Sequence, residues 1–312
     1  MTHIQDSPSV SVIIPTWQGA DYLAQTLPAI REQAYQGAVE IVGIDSESSD
    51  ATVALLERYG ATVRIIPKAT FTHGGSRNLG TRLAHGQILV FLSQDALPIG
   101  TDWLAKLIAP LRDQGVGAVY ARQVARPSAT PFEEYFHLTL YPPQSRYYEL
   151  ESEKAATLSQ IFFSNVCSAA RREVCERFPF DETLIMSEDQ AFAKAVLHAG
   201  YRTVYNAESL VYHSHHYDLK TLFRRNFDSA YSLRSVSADQ VGNEGQRALG
   251  YIAGEAAFVI RRRRWRCLLY LPLYEAVRVA GRLAGRNAER LPGRWRLAFS
   301  LHQGYWMKGH VT

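Results

Sequence analysis

Along the first hundred residues, short uninterrupted apolar runs alternate with segments whose apolar positions recur every three or four residues. Residues 11–14, 39–44, 63–66 and 88–92 read as buried strands. Between them, residues 21–33, 51–59 and 75–85 read as helices, with Asp50 placed to cap the second and Gly60 and Gly86 ending the second and third. Strands alternating with helices at this spacing predict an α/β fold built on a parallel, doubly wound sheet. Ligands bind such sheets beyond the carboxyl ends of the strands, so the residues just after each strand carry the chemical interest.

The rhythm lapses over residues 122–159, where Pro127, Pro131, Pro142 and Pro143 stand among aromatic and charged residues. This stretch reads as a long excursion suited to shaping an acceptor cleft. Residues 161–169 regain strand character, 190–199 read as a helix, and 203–205 and 210–212 as two short strands. Beyond Leu219 the pattern is helical and basic. The expected organisation is a catalytic domain over residues 1–222 and a basic helical region over residues 223–312.

Composition narrows the class. The chain has 312 residues, 46% apolar and 21% charged, enough for a sizeable core. No apolar run is long enough for a membrane span, and the first ten residues do not read as a secretory signal. Cys167, Cys175 and Cys267 are not at zinc-ligand spacing, which points to a reducing cytoplasm. Charge is unevenly placed. Residues 251–312 hold twelve Lys/Arg against three Asp/Glu, a net of +9, so the rest stands at −5 within a total of +4.

That basic region calls for an anionic partner. Arg261 to Arg264, Trp265 and Arg266 precede a leucine-rich run, and Arg278, Arg282 and Arg286 follow at helical spacing. The pattern suits an amphipathic helix on an anionic membrane, with arginines at headgroup level. The alternative is a helix packed on the rest of the protein with a solvated basic face. No nucleic-acid-binding motif accompanies the charge, so nucleic acid is not an expected partner.

The strand ends are polar. Pro15, Thr16 and Trp17 follow the first, and Asp45, Ser46, Glu47, Ser48, Ser49 and Asp50 the second. After the third, a loop leads into His73-Gly74-Gly75-Ser76-Arg77-Asn78, and the fourth is followed by Ser93-Gln94-Asp95-Ala96. A carboxylate such as Asp45 can accept from a base imide or a ribose hydroxyl. Backbone N–H groups at a helix start and a guanidinium suit a diphosphate. Each feature alone has a plainer explanation, as a cap or a turn. Their convergence on one edge favours a nucleotide site.

The motifs SVIIPTW (11–17), IVGIDSESSD (41–50), HGGSRNLG (73–80) and LVFLSQDA (89–96) resemble, in order and spacing, the family-2 glycosyltransferases of GT-A fold. FFSNVCSAARR (162–172), SEDQ (187–190) and VYHSH (211–215) continue the likeness, which is greatest to the bacterial rhamnosyltransferase branch. The resemblance implies a nucleotide-diphospho-sugar transferase, Rossmann-like, that inverts the anomeric centre. It implies that Pro15, Thr16, Asp45, Ser46, Asn78, Gln94 and Asn165 line the nucleotide-sugar site and that Arg77 faces the diphosphate. Asp95 would occupy the metal position, His213 or His215 would complete a site for Mg²⁺ or Mn²⁺, and Asp189 would be the catalytic base. The family's paired acid motif is reduced here to Gln94-Asp95-Ala96, with one carboxylate. A cation that keeps waters and takes diphosphate oxygens can still be held by one acid and an imidazole. Taken alone, Ser187 to Gln190 could equally be a capping box at a helix start.

The implied donor is dTDP-L-rhamnose, and the implied acceptor a bacterial surface glycan, free or linked to polyprenyl diphosphate, at the inner face of the plasma membrane. Competing readings are a transferase using another nucleotide sugar such as a UDP-hexose, and a non-catalytic nucleotide-sugar-binding protein. A dinucleotide oxidoreductase would need a G-x-G-x-x-G after the first strand, and none is there.

Overall fold

The structure is a computed structural model. It describes residues 7–150, 156–236 and 244–307. The first six residues and residues 151–155, which belong to the expected N-terminal and excursion segments, lie outside the described residues. The strands are β1 (Val10–Thr16), β2 (Val39–Asp45), β3 (Thr62–Ile65), β4 (Ile88–Leu92), β5 (Leu97–Pro98), β6 (Val116–Val124), β7 (Arg146–Tyr148), β8 (Cys167–Arg171) and β9 (Arg202–Tyr212). The first helices are α1 (Ala20–Arg31), α2 (Thr52–Arg58), α3 (His73–Leu83), α4 (Trp103–Ile108), α5 (Pro131–Leu140), α6 (Arg172–Arg177) and α7 (Glu188–His198). They are followed by α8 (Leu219–Val236), α9 (Glu244–Arg261), α10 (Trp265–Arg286), α11 (Gly293–Phe299) and α12 (Gln303–Met307). The chain divides into two compact units, one of residues 1–124, 141–184 and 188–213, the other of residues 125–140, 185–187 and 214–312.

All strands belong to the first unit and form one sheet in the order β3-β2-β1-β4-β8-β6-β9-β5, with β7 beside β9. The expected strands are there, but the sheet is mixed. β8 runs antiparallel between β4 and β6, whereas β1 with β2 and β4, β2 with β3, and β6 with β9 are parallel. β8 therefore starts at the edge where the parallel strands end. Apolar periodicity reports burial and carries no strand direction, so this reversal was invisible in the sequence.

Three boundaries differ instructively. β1 does not stop at Pro15. Its pairing with β4 ends at Ile13, and Pro15 pairs only with β2, so its missing N–H interrupts no ladder bond on the β4 side. The two short strands expected at 203–205 and 210–212 are one strand, β9, whose register against β6 shifts between Ala121 and Arg122. Residues 161–166 do not join the sheet. Phe162 and Phe163 instead pack on Tyr120, with ring centroids 5.8 and 5.1 Å away. The core of this unit gathers Val12, Ile14, Leu23, Leu27, Ile41 and Val90, all without solvent exposure. Each such side chain contributes about 1.5–3 kcal/mol through burial.

The second unit is helical. Phe132 of α5, Leu222 of α8, Val259 of α9, and Leu271 and Tyr274 of α10 form one buried cluster, with Phe132 and Tyr274 stacked at 4.6 Å. α8 and α10 touch backbone to side. A Cβ on Gly281 would stand 2.5 Å from the Phe223 carbonyl oxygen, and one on Gly285 2.2 Å from that of Phe227. Only glycine allows this approach. Arg278, expected on an outward basic face, is turned inward. Its Nη2 donates to Glu275 Oε2 at 2.7 Å, and its guanidinium lies 4.5 Å from the Tyr251 ring centre. Glu255 is also fully buried, and burial with the nearby Glu275 charge pushes its carboxyl far above the usual range. Among the described residues, no helix is long and apolar enough to cross a membrane.

Candidate functional site

The strand directions bring the sequence-derived residues to one edge of the first unit's sheet. β1, β2, β4, β6 and β9 all end there, and the antiparallel β8 begins there, which puts Asn165 two residues before its first residue.

At the end of β1 and β2, Thr16 and Asp45 are register partners, and Thr16 Oγ1 donates to Asp45 Oδ1 at 2.9 Å. Asp45 also accepts from the Ser48 N–H at 2.8 Å and the Ser48 hydroxyl at 2.6 Å. Both Thr16 and Asp45 are buried. Ser46 donates its N–H to the Thr16 carbonyl, while its buried hydroxyl has no hydrogen-bond partner among the described residues. Pro15 is half-buried one position before Thr16. Trp17 is exposed, and the Lys68 ammonium stands 3.5 Å above its ring. Lys68 escaped the sequence reading because nothing local marks it, and only the loop after β3 carries it to Trp17.

Gln94 is a backbone clamp. Its Oε1 accepts from the Trp17 N–H at 2.9 Å and its Nε2 donates to the Trp17 carbonyl at 3.0 Å. An amide can do both, and a carboxylate only the first. This gives a physical reason for glutamine where a paired acid motif would put aspartate.

Asp95 follows. Its Oδ2 lies 3.7 Å from Nε2 of His213, the residue after β9. His213 Nδ1 lies 2.8 Å from Gln123 Oε1 near the end of β6, and Gln123 Nε2 donates to the Tyr141 hydroxyl at 2.6 Å and the Ser164 hydroxyl at 2.9 Å. An acceptor at Nδ1 holds the proton there, so in the neutral ring Nε2 is the lone-pair nitrogen, on the side of Asp95. This donor set fits a divalent cation: an oxygen ligand, an imidazole and a partner holding the tautomer. His215 lies two residues on, at the start of the second unit's last segment. From the sequence alone Gln123 could equally reach a sugar hydroxyl or lie at the surface, because its link to His213 crosses from β6 to β9.

A second group joins α3, the approach to β8 and the start of α7. Arg77 is buried, and its Nη1 donates to Glu188 Oε1 at 2.9 Å and to the His73 carbonyl at 3.1 Å. Its Nη2 donates to the Asn165 carbonyl at 3.4 Å. The guanidinium expected at a diphosphate is thus engaged inside the protein. Asn165 is buried, donates Nδ2 to Glu188 at 3.5 Å, and accepts from the Ser168 hydroxyl at 2.7 Å. Asn78 brackets the Phe180 backbone, donating to its carbonyl and accepting from its N–H, both at 2.9 Å. Gly74 is needed for packing, since a Cβ there would stand 2.5 Å from the Asp181 carbonyl oxygen.

Asp189 is the second residue of α7, directly after Glu188. Its Oδ2 accepts from the Asn165 N–H at 3.2 Å, and its Oδ1 from the Gln190 N–H at 2.9 Å. Part of it still meets solvent. Burial, and then the Glu188 charge, push its carboxyl well above the usual range against the pull of those N–H groups and Arg77. Ser187, one position earlier, has a φ of 67°, a conformation uncommon for a residue with a Cβ and found chiefly where the surroundings enforce it. The edge thus offers a tunable carboxylate, a cation-compatible pair and a polar nook at the ends of β1 and β2.

The family model described as Glycosyl transferase family 2 matches residues 11–178, more than half of the chain. Over nearly full length the chain is similar to the O-antigen chain rhamnosyltransferase RfbN of Salmonella typhimurium, at 28% identity over 95% of this chain and 96% of that protein. It is similarly related to the O-antigen chain rhamnosyltransferase WbaN of Salmonella anatum, at 27% identity over 96% of each. Among solved structures it resembles the mannosyltransferase PcManGT from Pyrobaculum calidifontis, in complex with GDP-Man and Mn²⁺. That likeness has a TM-score of 0.63 at 21% identity, over 89% of this chain and 87% of that one.

Proposed function

Because the chain belongs to glycosyltransferase family 2 and has the GT-A fold with a helical C-terminal region, we propose that it transfers L-rhamnose from dTDP-L-rhamnose to a bacterial surface glycan, with inversion. The two full-length relatives, both O-antigen chain rhamnosyltransferases, support the choice of sugar. The acceptor in this reading is a growing glycan on polyprenyl diphosphate, met at the inner face of the membrane. Residues 1–222 carry the chemistry and residues 223–312 serve attachment.

One observation carries the catalytic assignment: Asp189, partly open at a helix start, has a carboxyl held above its usual range by burial and Glu188. A base with a raised pKa is suited to taking a proton from a sugar hydroxyl near neutral pH. In the step, an acceptor hydroxyl bonds to the anomeric carbon as the bond from that carbon to the diphosphate oxygen breaks. The hydroxyl proton passes to Asp189, and the nucleoside diphosphate leaves with the bonding pair. Arg77 and Asn165 hold Glu188 and Asp189 in place. Thr16, Asp45 and Ser46 take the nucleoside, with Trp17 and Lys68 at its outer side. Asp95 and His213, joined by His215, would hold Mg²⁺ or Mn²⁺, which when bound neutralises charge on the leaving diphosphate.

The test is a thermal-shift series with dTDP, dTDP-L-rhamnose, UDP-glucose and NAD, with and without Mn²⁺. A ligand bound only by the folded state raises the apparent melting temperature. The thymidine ligands should raise it most, and more so with Mn²⁺. A preference for UDP-glucose, or an equal shift with NAD, would overturn the donor.

A further inference from the structure

α10 is amphipathic in the reverse of the usual sense. A surface helix normally turns its apolar stripe inward and its charges to water. Here Glu275 and Arg278 face the interior of the second unit, while Trp265, Leu269, Leu273, Ala276, Ala280 and Leu283 are all exposed. Their spacing of four, four, three, four and three keeps them on one face. Leu269 is 86% exposed, Trp265 60% and Leu283 54%. At 1.5 Å per residue the stripe runs about 27 Å. A continuous exposed apolar face of that length needs a non-aqueous partner.

Charge selects the partner. Arg261, Arg262, Arg263, Arg264 and Arg266 are exposed at one end of the stripe, with Arg262 paired to Glu134, and Arg286 is exposed near the other, while Arg282 donates to Asn226 of α8. Glu275 is the one acidic residue between Arg261 and Asn287, and it is turned inward. A second copy docked on this face would set one arginine-rich stretch against another, with Glu134 already paired to Arg262 and Glu289 to Arg234. A leaflet of anionic lipid offers acyl chains to the stripe and phosphates to both ends.

We infer that the outward face of α10 is a membrane-docking surface. The helix lies in the plane of an anionic leaflet, with Leu269, Leu273 and Leu283 in the acyl boundary and Arg263, Arg264 and Arg266 among the headgroups. This deepens the membrane part of the proposed function only. It is read out by binding, so a wrong donor sugar would leave it standing.

The experiment is co-sedimentation of the full chain with vesicles of phosphatidylcholine alone or mixed with phosphatidylglycerol, over a range of salt, alongside sedimentation velocity without lipid. The chain should bind the anionic vesicles and bind phosphatidylcholine far more weakly. Salt should weaken binding without abolishing it, because the stripe is not ionic. Leu269→Gln with Leu273→Gln, both on the surface, should lower partitioning on the order of tenfold with an unchanged melting temperature. Arg263→Ser with Arg264→Ser and Arg266→Ser should remove the preference for anionic lipid. Vesicle binding that ignores the leucine pair would overturn the inference. So would a dimer in solution that the leucine pair dissociates while vesicles stay unbound.

Discussion

Arg77 Nη1 and Glu188 Oε1 stand 2.9 Å apart, and both side chains are almost wholly removed from water. The bond ties α3 to the first turn of α7, where Asp189 also sits. Breaking a buried pair from one side leaves an uncompensated charge, so Glu188→Gln or Arg77→Met should each lower stability by about 3 kcal/mol or more. Replacing both, Arg77→Met with Glu188→Gln, should recover much of that loss. Urea unfolding of the three variants tests the cycle, and additive losses would show that the pair is not coupled.

Asp189→Asn keeps the shape and removes the basicity. It should leave donor affinity nearly intact by calorimetry while lowering the transfer rate roughly a hundredfold or more. A base must be deprotonated to act, and burial with Glu188 raises this carboxyl above the usual range. The rate should therefore rise with pH through a value higher than an ordinary aspartate shows. In Glu188→Gln the neighbouring charge is gone, so the acidic limb of kcat/KM should move to lower pH. A limb that does not move would separate Asp189 from the observed titration.

The order of the strands and the acids at their ends were legible because a buried strand writes itself as a short apolar run and the site follows it. Asp45 and Asp95 could be picked out that way, whereas Asp189, at a helix start, stood out only through the family resemblance. What was not legible depends on contacts across the sheet. Gln123 meets His213 only because β6 and β9 are neighbours, and Gln94 meets Trp17 only because β4 ends beside β1. Which way Arg278 faces was open for a similar reason. Arg278 and Arg282 are four apart whichever way the helix faces, and only packing against α9 decided that Arg278 points inward, over the Tyr251 ring.

Gln123 should matter to metal affinity without being a ligand. Its amide oxygen keeps the proton on His213 Nδ1, and losing such a partner commonly weakens metal binding by roughly 10–100-fold. Mn²⁺ titration followed by electron paramagnetic resonance should show this for Gln123→Ala and a larger loss for His213→Ala. Unchanged Mn²⁺ affinity in both would remove Asp95 and His213 as a cation site.

Glu255 gives the second unit its own pH dependence. Its carboxyl is raised, so in the folded chain it holds a proton that the unfolded chain releases at lower pH. Stability is then unaffected below the ordinary carboxylate range and falls as pH climbs toward the raised value. Glu255→Gln cannot ionise and can donate to Glu275. Its urea midpoint should change less than the parent's between about pH 5 and about pH 8. Equal slopes in the two proteins would mean that Glu255 titrates normally.

The clamp between Gln94 and Trp17 has a further side. A Cβ on Gly19 would fall 2.3 Å from Gln94 Oε1, so the amide also occupies the space that any larger residue at position 19 would need. Gln94→Asp would add a second acid beside Asp95, but it would strip the Trp17 carbonyl of its donor and open a gap over Gly19. In evolutionary terms the lone acid is buffered against reversal. A lineage could acquire a paired-acid edge only by remodelling the exit of β1 in the same episode, so position 94 should drift together with position 19.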